Sequence, residues 1–240
     1  MRILITNDDS ISASQLLPLV RWCQKMGDVT VVAPKVEQSG KSHGIEIHAP
    51  FGYEKVQLAD DLCAYAVDST PADCVRFAVL GLQEHFDLVI SGINRGFNIG
   101  TDAMYSGTVA AVTEAAILGI PAIALSTSPS FYDRAVEQLD RIFDFIREQD
   151  LLAKHSIYNI NIPPQAGSIH ITRQGGIYYS DDFLLDENGM CHPLGKCVYE
   201  DQGDLSLDTD AVMHGCISIM PLTTNMTDMS VFQKLASLNQ

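Results

Sequence analysis

The chain has 240 residues, 46% of them hydrophobic and 19% charged, with a net charge of −15. That balance excludes a disordered chain and fits one α/β domain with an appendage, or two small domains, around a sizeable core. The acid excess and the lack of any Lys/Arg run argue against a nucleic-acid polymer as partner, and no apolar stretch is long enough to cross a bilayer, so no membrane is expected. A small anionic substrate would need a local positive element: a metal ion, backbone amides or a helix N-terminus.

The opening MRILITNDD reads as a first strand (2–6) followed by two acids, not as an export signal. Leu16, Leu17, Val20 and Cys23 give residues 13–26 helical spacing. Residues 29–33 form a second strand, stopped by Pro34, and residues 45–58 read as an inserted hairpin. Residues 65–67 are a third strand in the alternating series. Pro71 opens a helix over 71–84, since proline is tolerated in a first turn. Residues 88–90 are a strand, followed by the loop SGINRGFNIGTDAMY. A small-residue helix, apolar nearly all round, runs over 107–118 and is expected to be buried; Gly119 and Pro121 end it. A strand (122–125) and an amphipathic helix (132–148) close this half. Strands alternating with helices predict a Rossmann-like, mostly parallel sheet flanked by helices over 1–150. Beyond 150 the rhythm changes: NINIP and HITR are strand-like, 180–210 is polar and weakly periodic, CISIMPL is a strand and VFQKLASL a terminal helix. Residues 151–240 are read as a β-rich extension. The apolar strand 216–222 and the helix 231–238 make it the expected oligomerisation region.

In open parallel sheets, ligands bind beyond the C-terminal strand ends. Asp8, Ser39 and Asn94 all follow strands and can meet there. Asp8 and Asp9, as strand neighbours, would point to opposite faces; they share an ion only if the chain turns, which Asn7 and Ser10 favour. The same pair also suits an Asx turn or a helix cap. The glycines of SGINRGFNIG fit neither a P-loop nor a dinucleotide fingerprint. Together the segments offer two carboxylates, a hydroxyl and an amide oxygen, a hard-ligand set suited to Mg²⁺, Mn²⁺ or Ca²⁺. Ser106-Gly107-Thr108 opens a helix whose free N–H groups can hold a phosphate, or which Ser106 simply caps. Gly107 would let a phosphate approach without a Cβ in the way. His43 is open to a proton-donating or phosphate-binding role, or to plain solvation. Cys191, His192 and Cys197 have irregular spacing and no evident fourth zinc ligand. The six cysteines form no CxxC pair and suit a reducing cytoplasm.

NDD (7–9), APKVEQSGKSH (33–43), DSTPADCV (68–75), the block 91–126, NINIP (159–163) and CISIMPL (216–222) resemble the SurE family of survival-protein nucleotidases across most of the chain. The resemblance implies a cytoplasmic, divalent-metal-dependent phosphatase acting on nucleoside 5′- and 3′-monophosphates. It also implies a Rossmann-like domain and a C-terminal extension used in homodimers or homotetramers. It places one divalent ion per subunit, Mg²⁺ or Mn²⁺ with Ca²⁺ compatible, on Asp8, Asp9, Ser39 and Asn94. Asp8 and Asp9 are the expected catalytic pair, and Asn98, Ser106, Gly107 and Thr108 are expected to hold the phosphate. Ser10 and Gln15 stand where that family usually has glycine, and 183–200 lacks its Tyr-Trp element. The expected reaction is hydrolysis of a nucleoside monophosphate to nucleoside and inorganic phosphate. A non-catalytic nucleotide-binding regulator and a nucleotide-sugar transferase are the rival readings.

Overall fold

The computed structural model describes residues 1–238. Short runs of branched apolar residues become central strands because they are buried on both faces. In β1 (Arg2–Thr6), Ile3 and Ile5 point to one side and Leu4 to the other. β2 (Asp28–Pro34), β4 (Leu62–Val67), β5 (Leu88–Arg95), β6 (Ala122–Thr127) and β7 (Ile157–Ile162) run parallel to it in the order β4-β2-β1-β5-β6-β7. β3 (Tyr53–Ala59) adds antiparallel to β4, so the inserted hairpin spans 53–67 rather than 45–58. Residues 45–52 contain no strand.

The helices cover the two faces. α1 (Leu16–Cys23) and α4 (Leu139–Glu148) pack on one side, where the Trp22 and Phe143 rings lie 4.6 Å apart and the Trp22 indole N–H donates to Asp140 at 2.7 Å. α2 (Pro71–Arg76), extended by a wider turn at Phe77–Gly81, and α3 (Gly107–Ile117) cover the other. The alanines of α3 let it lie close to the sheet. It is buried as expected along most of its length, but Ile117 is 59% exposed. The expected helix over 132–148 divides into a 3₁₀ segment, Tyr132–Gln138, and α4. α5 (Leu151–Lys154) leads into β7.

The sheet does not stop at residue 150. β11 (Ile217–Pro221) pairs antiparallel with β7, and β8 (Ile169–Ile171) pairs parallel with β11, completing nine strands. α6 (Asp208–Met213) precedes β11. The parts of the C-terminal half outside this sheet include an antiparallel hairpin, β9 (Tyr179–Leu185) and β10 (Cys191–Cys197), and the helix α7 (Met229–Leu235), which has no buried residue. β11, by contrast, is buried within the sheet. Its apolar run is therefore accounted for by its own strand neighbours and not by a subunit contact.

Candidate active site

From β1 the chain moves out to β2 and β4 on one side, then returns to lay β5 on the other. The reversal opens a crevice between β1 and β5 at the C-terminal strand ends. Asp8 and Asp9 leave β1 there, and Asn94 lies at the end of β5. Ser10 takes φ +86°, the turn that stops the two acids from alternating as strand neighbours. In β5 the register slips between Ser91 and Asn94, and such bulges re-aim side chains. Gly92, at φ +131°, makes the slip possible; a Cβ there would sit 2.3 Å from the Leu125 carbonyl oxygen.

Hydrogen bonds draw the loops together. Gln38 N–H donates to the Asp8 carbonyl at 2.8 Å, fixing the loop that carries Ser39. Arg95 N–H donates to Asp9 Oδ2 at 2.9 Å. The Thr108 hydroxyl donates to Asp8 Oδ1 at 2.5 Å, and the Thr108 amide also supports that carboxylate. Asn94 Nδ2 donates to the Gly96 carbonyl at 2.9 Å, which leaves its amide oxygen available as a ligand. Asp9 and Ser39 line one open cavity of about 280 Å³ with Glu37, Arg95 and Tyr132.

Asp8 is 3% exposed, and burial pushes its pKa up against the pull of the Thr108 hydroxyl. Asp9 is pushed up to about 6, by burial first and then by the Asp8 charge. Among the described residues neither carboxylate forms an ion pair. Paired, desolvated carboxylates with no cationic side chain in contact fit a divalent ion. No three His, Cys, Asp or Glu side chains among the described residues cluster as a metal site. An ion on Asp8 and Asp9 would therefore complete its shell with hydroxyl, amide and water oxygens, the donor chemistry of Ser39 and Asn94. The Ser39 hydroxyl here donates to Glu37 Oε1 at 2.7 Å, so Ser39 would turn from Glu37 to ligate.

At the anion end the structure redistributes the expected donors. Ser106 caps α3, its Oγ accepting from Val109 N–H at 3.1 Å, while its own hydroxyl proton stays free to donate. Thr108 is committed to Asp8, so the helix N-terminus first serves that carboxylate. A Cβ at Gly107 would meet Asp8 Cβ and Pro71 Cγ, both at 3.0 Å. Glycine is needed there to pack α3 against Asp8, not only to admit a phosphate. Asn98 is 7% exposed: its Nδ2 donates to Ser126 Oγ, its N–H to Asn161 Oδ1, and its carbonyl accepts from Asn159 and Asn161. The two asparagines of NINIP thus clamp the loop after β5. Asp208 joins them by accepting from Gly100 N–H at 2.9 Å.

His43, open in sequence to a proton-donating or phosphate-binding role, is held here by a carboxylate. Its Nε2 lies 2.8 Å from Glu114 Oε2, a side chain 5% exposed on α3, and Arg76 bonds the other oxygen at 2.9 Å. Bonding from His43 and then Arg76 holds the Glu114 carboxyl below its usual range despite burial. His43 is therefore a tether between the Ser39 loop and α3. Cys191 and Cys197 stand at opposite ends of the exposed strand β10, and His192 bonds Asp186 at 3.0 Å. Sequence reasoning missed Glu37, Arg95 and Tyr132. Arg95 supplies the cavity's positive charge, its guanidinium carbon 5.9 Å from the Tyr132 ring centroid. Its position inside SGINRG was the available signal.

The family model for survival protein SurE matches residues 3–181. A 5′-nucleotidase SurE of Thermosipho melanesiensis is 37% identical, covering 98% of this chain and 96% of that protein. One from Thermoanaerobacter sp. (strain X514) is 38% identical, covering 99% and 98%. The crystal structure of the SurE protein from Aquifex aeolicus superposes with a TM-score of 0.77 at 29% identity, covering both chains completely. With this agreement in sequence, topology and full-length coverage, the chain belongs to the SurE family.

Proposed function

We infer that the chain hydrolyses nucleoside monophosphates to nucleoside and inorganic phosphate. We propose that it does so with one divalent ion, Mg²⁺ or Mn²⁺, held by Asp8, Asp9, Ser39 and Asn94. The observation carrying this reading is the meeting, at the β1/β5 crevice, of two carboxylates without ion-pair partners and the N-terminus of α3. The names of the relatives point to the same reaction. A bound divalent ion lowers the pKa of a coordinated water and draws charge from a phosphoryl oxygen.

The protein's own groups do the rest. Thr108 keeps Asp8 oriented and favours its ionised form. Arg95 N–H holds Asp9 Oδ2, leaving Oδ1 for the ion or for a proton taken from the attacking water. Arg95, the Ser106 hydroxyl and the Gly107 amide form the anion-binding set, with the helix end offsetting charge on the phosphoryl oxygens. In a chain of net charge −15, this concentrates the positive field where an anion must sit.

Assembly into dimers or tetramers belongs to the same reading. It is supported by exposed Phe183, Leu184, Leu185 and Leu194 on the hairpin and by Val231, Phe232 and Leu235 on α7. The reading places the protein in the cytoplasm, whose reducing conditions suit its six unpaired cysteines. No helix of the described residues is long and apolar enough to cross a membrane. Incubation with a generic aryl phosphate and Mn²⁺ tests the activity. Release of phosphate is expected; a nucleotide that binds but is never hydrolysed under any divalent ion would make the protein a binding regulator instead.

A further inference from the structure

Asp208, the first residue of α6, is a carboxylate with no exposed surface. Among the described residues it forms no ion pair. Its partners are three backbone amides. Oδ2 accepts from Gly100 N–H at 2.9 Å, and Oδ1 from Gly175 N–H at 2.7 Å and Thr209 N–H at 2.8 Å. Burial outweighs these bonds and pushes its carboxyl above the usual aspartate range. A buried carboxylate without a cation is costly for a fold that needs only stability at this corner. Its bonds tie together two segments that lie far apart in sequence.

One segment is the approach to the anion donors. Gly100 opens the 3₁₀ turn Gly100–Tyr105, which ends at Ser106, the cap of α3. The other is the run 174–176, which leads into β9. Two further bonds join them: Gln174 Nε2 donates to the Gly100 carbonyl at 3.0 Å, and Thr101 N–H to the Gly176 carbonyl at 3.2 Å. The approach is backbone to backbone. Gly100 takes φ +55°, and a Cβ there would run into the Gly176 carbonyl oxygen. Before the turn, Asn98 is clamped by Asn159 and Asn161. At its end, Ser42 N–H donates to the Tyr105 carbonyl at 3.0 Å. Between those two anchors the turn is held from behind by Asp208 and Gln174.

We propose that Asp208 is a positioning residue for phosphate capture. It sets the Gly100–Tyr105 turn against Gly175 and so fixes where the Ser106 hydroxyl and the Gly107 amide stand, without touching the substrate. This proposal rests on the nucleotidase reading above, and it adds a residue that acts on the anion donors through the backbone. Asp210 provides the contrast. It too has no exposed surface, and it accepts from the Tyr199 hydroxyl at 3.1 Å and from Gln202 and Asp204 N–H at 3.1 and 2.9 Å. None of those bonds reaches residues 98–106, so Asp210 combines the same burial and chemistry with a purely local duty.

The test uses the full-length Mn²⁺-loaded protein with Asp208→Asn, Gln174→Ala and, as the control for lost stability, Asp210→Asn. Calorimetry measures the binding of Mn²⁺ and of inorganic phosphate, and steady-state kinetics are taken on an aryl phosphate. Asparagine keeps the shape of Asp208 but turns one acceptor oxygen into a donor that faces a backbone N–H. Asp208→Asn is expected to weaken phosphate binding about tenfold and to raise KM by a similar factor, with Mn²⁺ affinity and kcat within about twofold of wild type. Gln174→Ala should weaken phosphate binding about threefold. If Asp208→Asn does not fold, Gln174→Ala carries the test: that loss supports the role, and no loss overturns it. Asp210→Asn should lower the melting temperature and leave phosphate affinity unchanged. Wild-type phosphate affinity in both Asp208→Asn and Gln174→Ala, or an equal loss in Asp210→Asn, would overturn the positioning role while leaving the nucleotidase standing. Phosphate binding that falls as expected, in a protein that hydrolyses no phosphomonoester, would keep the role of Asp208 and overturn the nucleotidase.

Discussion

Asp9 is the residue through which the proposed ion would couple to pH. In the metal-free chain its pKa stands near 6, against 3.8 for an unperturbed aspartate. A carboxyl whose folded pKa is raised stabilises the fold in its protonated form; that contribution is complete below about 3.8 and is lost as pH rises through about 6. A divalent ion must displace that proton. Mn²⁺ affinity should therefore rise between pH 5 and pH 7, with proton uptake by buffer measurable calorimetrically. In Asp9→Asn the residual affinity should lose much of that slope; a slope equal to the wild type would assign the proton elsewhere. Ser10 offers a second residue-scale test. Its φ of +86° is costly for a side chain with a Cβ, and its Oγ gains only a 3.3 Å bond from Ser12 N–H. Ser10→Gly should raise unfolding free energy by about 1 kcal/mol in a denaturant titration. A loss of stability would mean that the hydroxyl matters more than the backbone.

The bulge in β5 sets where Asn94, a proposed ligand, stands. Gly92 lies against the Leu125 carbonyl at a positive φ, so Gly92→Ala must move β5 or β6. The expected result is a loss of about 2 kcal/mol or more of stability, with weaker Mn²⁺ binding because Asn94 lies two residues on. Wild-type Mn²⁺ affinity in a folded Gly92→Ala protein would show that Asn94 is not a ligand. At this scale the sequence was most legible where burial was strongest. The strands at 2–6, 29–33, 88–90 and 122–125 and the helix at 107–118 have apolar patterns that two-sided or all-round burial requires. The β9–β10 hairpin was not legible, because both strands are exposed and carry Asp, Pro and Gly with no alternation. Glu37 gave no signal of its own and Arg95 only its place inside SGINRG, since a loop side chain's direction depends on the bulge and turns around it.

For the whole molecule, the main surprise is how far the sheet extends. NINIP suggested a strand; backbone pairing sets it between β6 and β11, and its buried Asn159 and Asn161 side chains bond the Asn98 backbone across the molecule. Such long-range polar pairing leaves no periodic trace. The exposed apolar residues of the hairpin and α7 belong to this scale too. Light scattering at micromolar concentration should report a dimer or tetramer. Phe232→Asp together with Leu235→Asp should shift it toward monomer; a wild-type chain that is monomeric throughout would remove the interface.

The β1/β5 crevice is expected to hold a divalent ion that the reaction requires. Dialyse the protein against EDTA and follow phosphate release from a nucleoside 5′-monophosphate as Mn²⁺ is returned, for the wild type and for Asp8→Asn. The expected result is no turnover without the ion, saturable recovery with one Mn²⁺ bound per chain, and loss of both binding and recovery in Asp8→Asn. Full turnover in the EDTA-dialysed protein, or a wild-type Mn²⁺ response in Asp8→Asn, would contradict it.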